Sequence, residues 1–301
     1  MVDHPAEDII NELIDQGELP TLPVVASALL DLSSNPDVEL RQIADIIEFD
    51  QGISTKVLRT INSSFYGLQN KCVNIRQALA YLGLNTVRGL VMGFSLARMI
   101  DGGGDEEVTF DFRSYWRRSI WSAAAARQIA SRIASVDPDE CFLAALIQDV
   151  GMVAMSRRFG DAYLQIMDIC DDASKLPYLE NKHFHIDHCK VGYHLCESWR
   201  LPDSICEVVK NHHSIDRASL DTLQIMRILT LSNHISVGME HSLINDDQVF
   251  DSFKRRAREW YGIRGTVASG MLSRIRFNAQ ELASAFDLSS TANPSRSLGA
   301  A

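Results

Sequence analysis

Apolar residues recur at three- and four-residue spacing along most of the chain, which is the period of one face of an α-helix. The clearest stretch runs from Cys141 to Met152, where Phe142, Leu146 and Val150 fall on one stripe. Alternation of apolar and polar residues, which would indicate β-strands, is absent over any useful length. The sequence therefore predicts an all-α protein.

Glycine, proline and polar clusters separate the predicted helices and divide the chain into two halves. Three consecutive glycines among acidic residues at 101–107 predict an exposed linker, because glycine carries high backbone entropy. We predict an N-terminal helical subdomain at residues 1–100, a linker at 101–109, a C-terminal helical subdomain at 110–288 and a disordered tail at 289–301. The predicted helices cover residues 3–16, 24–32, 39–49, the segment around 57–61, 74–82, 85–100, 110–134, a helix that starts at 138, 163–170, 188–199, 202–211, 220–237 and much of 251–286.

Asp149 is the first candidate for chemistry, because it places a carboxylate at the end of the apolar stripe that contains Leu146. Burying an ionised carboxylate without compensation costs several kcal/mol or shifts its pKa. We therefore expect Asp149 to contact a metal ion, a base or backbone donors, or to lie at the wet edge of the stripe.

Composition narrows the classes of partner. The chain has 301 residues, 46% of them hydrophobic, with a formal net charge of -10 and a pI of about 5.4. This length supports a sizeable core, and the negative charge disfavours broad binding to phosphate backbones or anionic lipid. Nucleic acid is therefore disfavoured as a partner.

Cysteine usage and the N-terminus predict the compartment. The six cysteines contain no Cys-x-x-Cys pair and read as reduced core thiols. The acidic N-terminus lacks the features of a secretory signal, and the longest apolar run, 89–100, contains Arg98 and is too short to span a bilayer. We expect no membrane insertion and a cytoplasmic location.

Histidine is concentrated in the C-terminal half, where seven of the nine residues of this type lie between positions 183 and 234. Imidazole is a common ligand of transition metals, so Asp149 with His188, His212 and His213 is a candidate metal set. The alternative is that these histidines are hydrogen-bonded core or surface residues, since their sequence spacing does not define one close site.

Several segments, in order along the chain, resemble a known family. The segments are Leu19–Pro23, Leu58–Gly67, Ile75–Gly83, Trp199–Pro202 and Asn211–His213. Together they resemble the HD-related output domain, HDOD, over roughly residues 15–235. The resemblance implies an N-terminal helical subdomain followed by an HD-like helical subdomain. It also implies a bacterial module of signal transduction, related to the metal-dependent HD phosphohydrolases.

The resemblance also implies where the metal ligands of the phosphohydrolases would fall. The first histidine falls at Arg118, the His-Asp doublet at Gln148 and Asp149, and the later aspartate at Asn233. Arginine cannot ligate a cation, and neutral amides are weak replacements for imidazole and carboxylate. We therefore expect a degenerate, metal-free pocket in which Asp149 pairs with Arg118 or with the remaining histidines.

A second polar group lies in the N-terminal half, within the family-like segment. Asn62, Ser63, Tyr66 and Gly67 could line a cleft for a ligand or partner. They could equally cap a helix and satisfy a buried turn, because Asn, Ser and Gly are the residues such turns require.

These observations predict a non-catalytic regulatory protein that needs no cofactor and acts by binding a signalling protein or a small-molecule ligand. The alternative is a metal-dependent phosphohydrolase of nucleotides or cyclic dinucleotides that uses Asp149, His188, His212 and His213.

Overall fold

A computed structural model describes residues 9–10, 22–33, 38–101, 110–170, 172–240 and 247–288. Within these ranges the chain forms α-helices, two short 3-10 turns and no strand, which confirms the all-α prediction. The helices are α1 Val24–Ser33, α2 Leu40–Phe49, α3 Gln51–Ile61, α4 Ile75–Asp101, α5 Phe112–Ala130, α6 Pro138–Ile147, α7 Val150–Ile169, α8 Leu176–Phe184, α9 His188–Ser198, α10 Asp203–Asn211, α11 Leu223–Glu240, α12 Asp247–Tyr261 and α13 Gly265–Ala285.

Local capping residues set the helix boundaries in the N-terminal half. The Asp50 carboxylate accepts a hydrogen bond of 3.0 Å from the backbone N–H of Ile53 and so begins α3. Asn74 does the same for α4 through the N–H of Gln77, at 2.9 Å. Inside α4, Gly83 adopts a φ of 80° and breaks the helix, which matches the two helices expected over 74–82 and 85–100.

Helix α5 forms the centre of the C-terminal half, with α6, α11 and α13 packed around it. Four consecutive alanines, 123–126, are fully buried, and their small side chains let neighbouring helices approach closely. The helix is shorter than the predicted 110–134, because the Asp111 side chain caps it at Ser114 N and Ser131 ends it.

Some predicted segments lie partly or wholly outside the described residues. The predicted helix 3–16 is described only at Ile9 and Ile10, which are helical. Positions 102–109 of the linker and the whole tail 289–301 lie outside the described ranges. The division into two subdomains therefore stays a prediction.

Direct contacts join the family-like segment of the first half to the second half. The Arg127 guanidinium lies over the rings of Tyr66 and Phe65, at 4.6 and 5.3 Å from their centroids. Its Nε also donates to Asp139, at 2.7 Å, and Asp139 in turn accepts from the Thr86 hydroxyl. This chain of contacts fixes α4, α5 and α6 relative to one another.

One helical window, Ile75–Arg98, is long and apolar enough to cross a membrane by length and composition. However, 61% of this window is buried against the rest of the protein, and Gly83 interrupts it. Burial of this kind is typical of a core helix.

Helices α7 and α9 approach each other closely at two glycines, Gly151 and Gly192. A Cβ atom added to Gly151 would lie 1.9 Å from the backbone oxygen of His188 and 2.7 Å from the backbone nitrogen of Gly192. No side chain fits between these backbones, so the two helix segments pack at the distance that glycine alone permits.

We predict that Gly151→Ala lowers the free energy of unfolding by about 3 kcal/mol or more, because the methyl group forces α7 and α9 apart. Urea denaturation followed by circular dichroism measures this change. The matched control is Gly270→Ala on the exposed face of α13, where an added Cβ meets no atom within 4 Å. That variant should gain about 0.5–1 kcal/mol from helix propensity. Equal stabilities of the two variants would contradict the prediction.

Candidate functional site

Three helix ends meet at the candidate site. Asp149 follows α6 and precedes the first residue of α7, while His188 is the first residue of α9. His212 and His213 follow the last residue of α10. The close packing of α7 on α9 brings these ends together, although 24 residues separate His188 from His212 and 63 separate His212 from Asp149.

The structure places Asp149, His188 and His212 within direct reach of one another. Asp149 Oδ1 lies 3.2 Å from His212 Nε2 and 3.7 Å from His188 Nε2. The two Nε2 atoms lie 3.4 Å apart, and the His213 ring centroid lies 4.2 Å from that of His212. The four residues of the predicted metal set therefore share one site, despite their separation in sequence.

The Nδ1 atoms of both central imidazoles are held by acceptors that cannot donate. His188 Nδ1 donates to the fully buried Glu180 carboxylate at 2.7 Å, and His212 Nδ1 donates to the Val209 carbonyl at 2.8 Å. Each Nδ1 therefore carries a proton, and the Nε2 atoms point into the site. Partners of this kind fix ring orientation in metal-binding histidines.

Glu180 is a functional residue that sequence reasoning missed. Its carboxylate also accepts from the backbone N–H of His188, at 2.9 Å, and from the Tyr163 hydroxyl, at 2.7 Å. An eight-residue separation across a helix connection gives no sequence signal for such a contact, so only the packing of α7, α8 and α9 reveals it.

Cys189 is the second missed residue. All six cysteines are buried, but Cys189 alone has its sulfur beside the histidines, 3.6 Å from His188 Nε2. One ligand atom each from His188, Cys189, His212 and His213 lies within 4.8 Å of the other three. The adjacent His-Cys pair was the available signal, but neighbours in a helix do not usually face the same side.

The charges around the site favour the ionised forms of the Asp149 carboxyl group and the Cys189 thiol. Burial raises the pKa of Asp149, but the hydrogen bond from His212 and the charge of Arg118 outweigh burial and hold that pKa well below its usual range. Burial likewise raises the pKa of the Cys189 thiol, but the charges of His188 and His212 lower it to about 7. An ionised carboxylate and a thiol with a pKa close to neutral pH thus face the imidazoles.

The three imidazoles differ in the direction in which their pKa values are shifted. Burial lowers the pKa of His188 and His212, but the Cys189 charge and their carboxylate partners outweigh it. The net pKa lies well above the usual range for His188 and at about 10 for His212. Burial and the two charged rings hold the pKa of His213 well below the usual range, so this ring is neutral.

Arg118 lies next to Asp149, on the side of Oδ2, whereas the closest imidazole, that of His212, contacts Oδ1. Its Nη2 is 3.8 Å from Asp149 Oδ2 and 3.6 Å from the sulfur of Met152. The guanidinium therefore places a positive charge at the edge of the site, where a second divalent cation would be repelled.

Gln148 and Asn233 form two hydrogen bonds with each other. Gln148 Nε2 donates to Asn233 Oδ1 at 2.7 Å, and Asn233 Nδ2 donates to Gln148 Oε1 at 3.1 Å. The Ser122 hydroxyl also donates to Asn233 Oδ1, at 2.7 Å. An amide oxygen has two lone pairs, so this oxygen has no further capacity for a metal ion.

The polar group of the N-terminal half makes local contacts around a turn. The Asn62 amide bonds both the N–H and the C=O of Cys72, each at 2.8 Å, and Ser63 donates to the Thr60 carbonyl at 2.6 Å. Gly67 adopts a φ of 60°, and the Tyr66 ring lies under Arg127. These contacts are those of a turn that packs against α5, and they lie apart from the histidine site. A ligand or partner cleft here stays a prediction.

We predict that Glu180→Ala lowers the free energy of unfolding by about 3–5 kcal/mol, since it leaves three buried donors without their acceptor. Chemical denaturation at neutral pH measures the change. Glu197→Ala is the matched control: Glu197 also accepts from a tyrosine hydroxyl, that of Tyr193 at 2.6 Å, but on the exposed surface. Its effect should stay within about 0.5 kcal/mol. Comparable losses in both variants would mean that Glu180 does not organise the site.

Comparison with known proteins found a protein of similar sequence. A protein of Treponema pallidum (strain Nichols), described as uncharacterised, is 22% identical over 285 residues. The match covers 91% of this chain and 51% of that protein, so the chain spans about half the length of its curated relative.

Two solved structures share the fold. A Shewanella amazonensis SB2B protein provisionally named a phosphohydrolase has a TM-score of 0.70 at 20% identity, over 93% of this chain and 98% of its own. A Marinobacter aquaeolei VT8 protein provisionally named a signal transduction protein has a TM-score of 0.64 at 20% identity, over 93% of this chain and 61% of its own. At these identities the likeness establishes the fold alone.

The HDOD domain model matches residues 19–215, well over half of the 301-residue sequence, and the chain therefore belongs to the HDOD family.

Proposed function

We propose that this protein is a regulatory module of signal transduction that binds a protein or a small ligand without hydrolysing it. The observation that carries the proposal is the reciprocal pairing of the Gln148 and Asn233 amides. The family resemblance places these residues where the related phosphohydrolases use a histidine and an aspartate, and each of the two amide oxygens accepts a hydrogen bond from the other residue.

Arg118 supports the same conclusion, because it stands at the position of the first ligand. Hydrolysis by a pair of metal ions requires two cations about 3.5–4 Å apart, each held by anionic or imidazole ligands. Here a permanent positive charge lies 3.8 Å from Asp149, the one carboxylate of the implied ligand set that this chain keeps. The cost of placing a second divalent cation beside Arg118 disfavours a dinuclear centre.

The proposed partners are a signalling protein or a small-molecule ligand, and the proposed location is the cytoplasm. The net charge of -10 disfavours nucleic acid and anionic lipid. The name of the Marinobacter relative belongs to that protein, and it agrees with a role in signal transduction without identifying a partner.

The second candidate is a metal-dependent phosphohydrolase of nucleotides or cyclic dinucleotides. It is favoured by the convergence of Asp149, His188 and His212, and by the provisional name of the Shewanella relative. Asp149 would then be a metal ligand, and its removal would abolish turnover.

We predict that the purified chain, assayed with Mn²⁺ or Fe²⁺, releases no product from nucleotides or cyclic dinucleotides above the rate of Asp149→Ala. Chromatographic detection of product measures this, and circular dichroism checks that the variant is folded. Glu197→Ala serves as the control variant, because its substitution lies on the surface. Metal-dependent turnover in wild type and Glu197→Ala that disappears in Asp149→Ala would replace our proposal with the hydrolase.

The binding mode is tested separately. A nucleotide that raises the melting temperature of the wild type, but not of Arg118→Ala, would identify a small-ligand receptor, because a ligand at 100 times its Kd stabilises by about 2.7 kcal/mol. If no nucleotide shifts the melting temperature, affinity capture from the native cell followed by direct binding of the purified partner tests the protein-binding mode.

A further inference from the structure

The four side chains His188, Cys189, His212 and His213, here called the His-Cys cluster, form a set of ligand atoms that shares three histidines with the predicted pocket and adds the Cys189 thiol, which the prediction did not include. One ligand atom from each lies within 4.8 Å of the other three. Two of the atoms are imidazole Nε2 and one is a thiol sulfur. This set differs from the one implied by the family resemblance, because it contains sulfur and does not use Arg118, Gln148 or Asn233.

Two of the six distances between ligand atoms of the cluster agree with tetrahedral coordination. Zinc bonds of about 2.0 Å to nitrogen and 2.3 Å to sulfur, at tetrahedral angles, place two nitrogens about 3.3 Å apart and a nitrogen and a sulfur about 3.5 Å apart. The observed separations are 3.4 Å between the Nε2 atoms of His188 and His212, and 3.6 Å between His188 Nε2 and Cys189 Sγ. Both edges fit one ion at the centre.

Hydrogen bonds within the protein also hold two of the ligand atoms in place. The Nδ1 of His188 is bonded to Glu180 and that of His212 to the Val209 carbonyl, so each Nε2 faces inward. A hydrogen bond between the two rings would account for their 3.4 Å separation alone. It would not account for a thiol brought to the same point, nor for two independent anchors that turn both rings toward it.

Two partly exposed side chains lie beside the cluster. The site is closed by fully buried side chains around His188 and Glu180, but the Asp149 side chain is 14% exposed and that of Arg118 is 20% exposed. The Asp149 carboxylate lies next to the ligand atoms, because its Oδ1 is 3.2 Å from His212 Nε2. The carboxylate attracts the cation, and Arg118 balances that carboxylate from the other side.

We infer that His188, Cys189, His212 and His213 form a mononuclear site for a thiophilic divalent transition-metal ion, with zinc as the expected occupant. A thiolate with imidazoles selects zinc over magnesium, calcium or manganese. Four protein ligands leave no open position for a water nucleophile, so the ion is structural or regulatory. The inference rests on ligand geometry alone, and it stands or falls independently of the proposed role in signalling.

Cobalt titration of the full chain, stripped of metal with a chelator, tests the site. We expect one Co²⁺ per chain, a near-ultraviolet charge-transfer band from thiolate to cobalt, visible bands of four-coordinate intensity, and displacement by one equivalent of Zn²⁺. Cys189→Ser should lose the charge-transfer band and bind at least about tenfold more weakly. Cys72→Ser, which alters another buried free thiol in the N-terminal half, should behave as the wild type.

X-ray absorption of the zinc-loaded wild type keeps the test independent of any variant that fails to fold. We expect one sulfur and three nitrogen neighbours around the ion. Binding below one equivalent per chain, a charge-transfer band that persists in Cys189→Ser, or a zinc shell without sulfur would each overturn the inference.

Discussion

The hydrogen-bonded contact between the Glu180 carboxylate and His188, both without exposed side-chain surface, is the interaction on which the candidate site depends. A buried carboxylate needs hydrogen-bond donors, and Glu180 has three of them: two groups of His188 and the Tyr163 hydroxyl. The same bonds determine which nitrogen of His188 faces the site. One structural requirement, satisfying a buried charge, therefore also aims an imidazole at its neighbours.

The site is built at helix ends, where residues beside α7, α9 and α10 come together. Asp149, His188 and His212 each lie at or next to a helix terminus, and the Gly151 contact brings the backbone of α7 against that of α9. The tight contact leaves little freedom for either helix to shift. The separations of 3.2–3.7 Å among the three side chains are thus a consequence of backbone packing.

Two chemical tendencies are combined in this pocket. At one edge, Arg118 lies beside Asp149, and the amides of Gln148 and Asn233 hydrogen-bond to each other. Ligand atoms of three imidazoles and a thiol lie within 4.8 Å of one another in the same pocket. The proposed absence of hydrolysis and the inferred metal site are compatible, since a closed four-ligand site needs no open position.

The sequence by itself determined the helical architecture, because the helical period, the capping residues such as Asp50 and Asn74, and the break at Gly83 act within a few residues of one another. It also pointed to Asp149 and the histidines, and the quoted segments carried the family. It could not reveal Glu180 as the anchor of His188 or Cys189 as a neighbour of His212. Those contacts join α8 with α9, and α9 with the residue that follows α10, and their distances are set by tertiary packing, which no local pattern encodes. The sequence thus identified the kinds of group available, and the tertiary structure alone decided which of them share a site and which atoms they present to it.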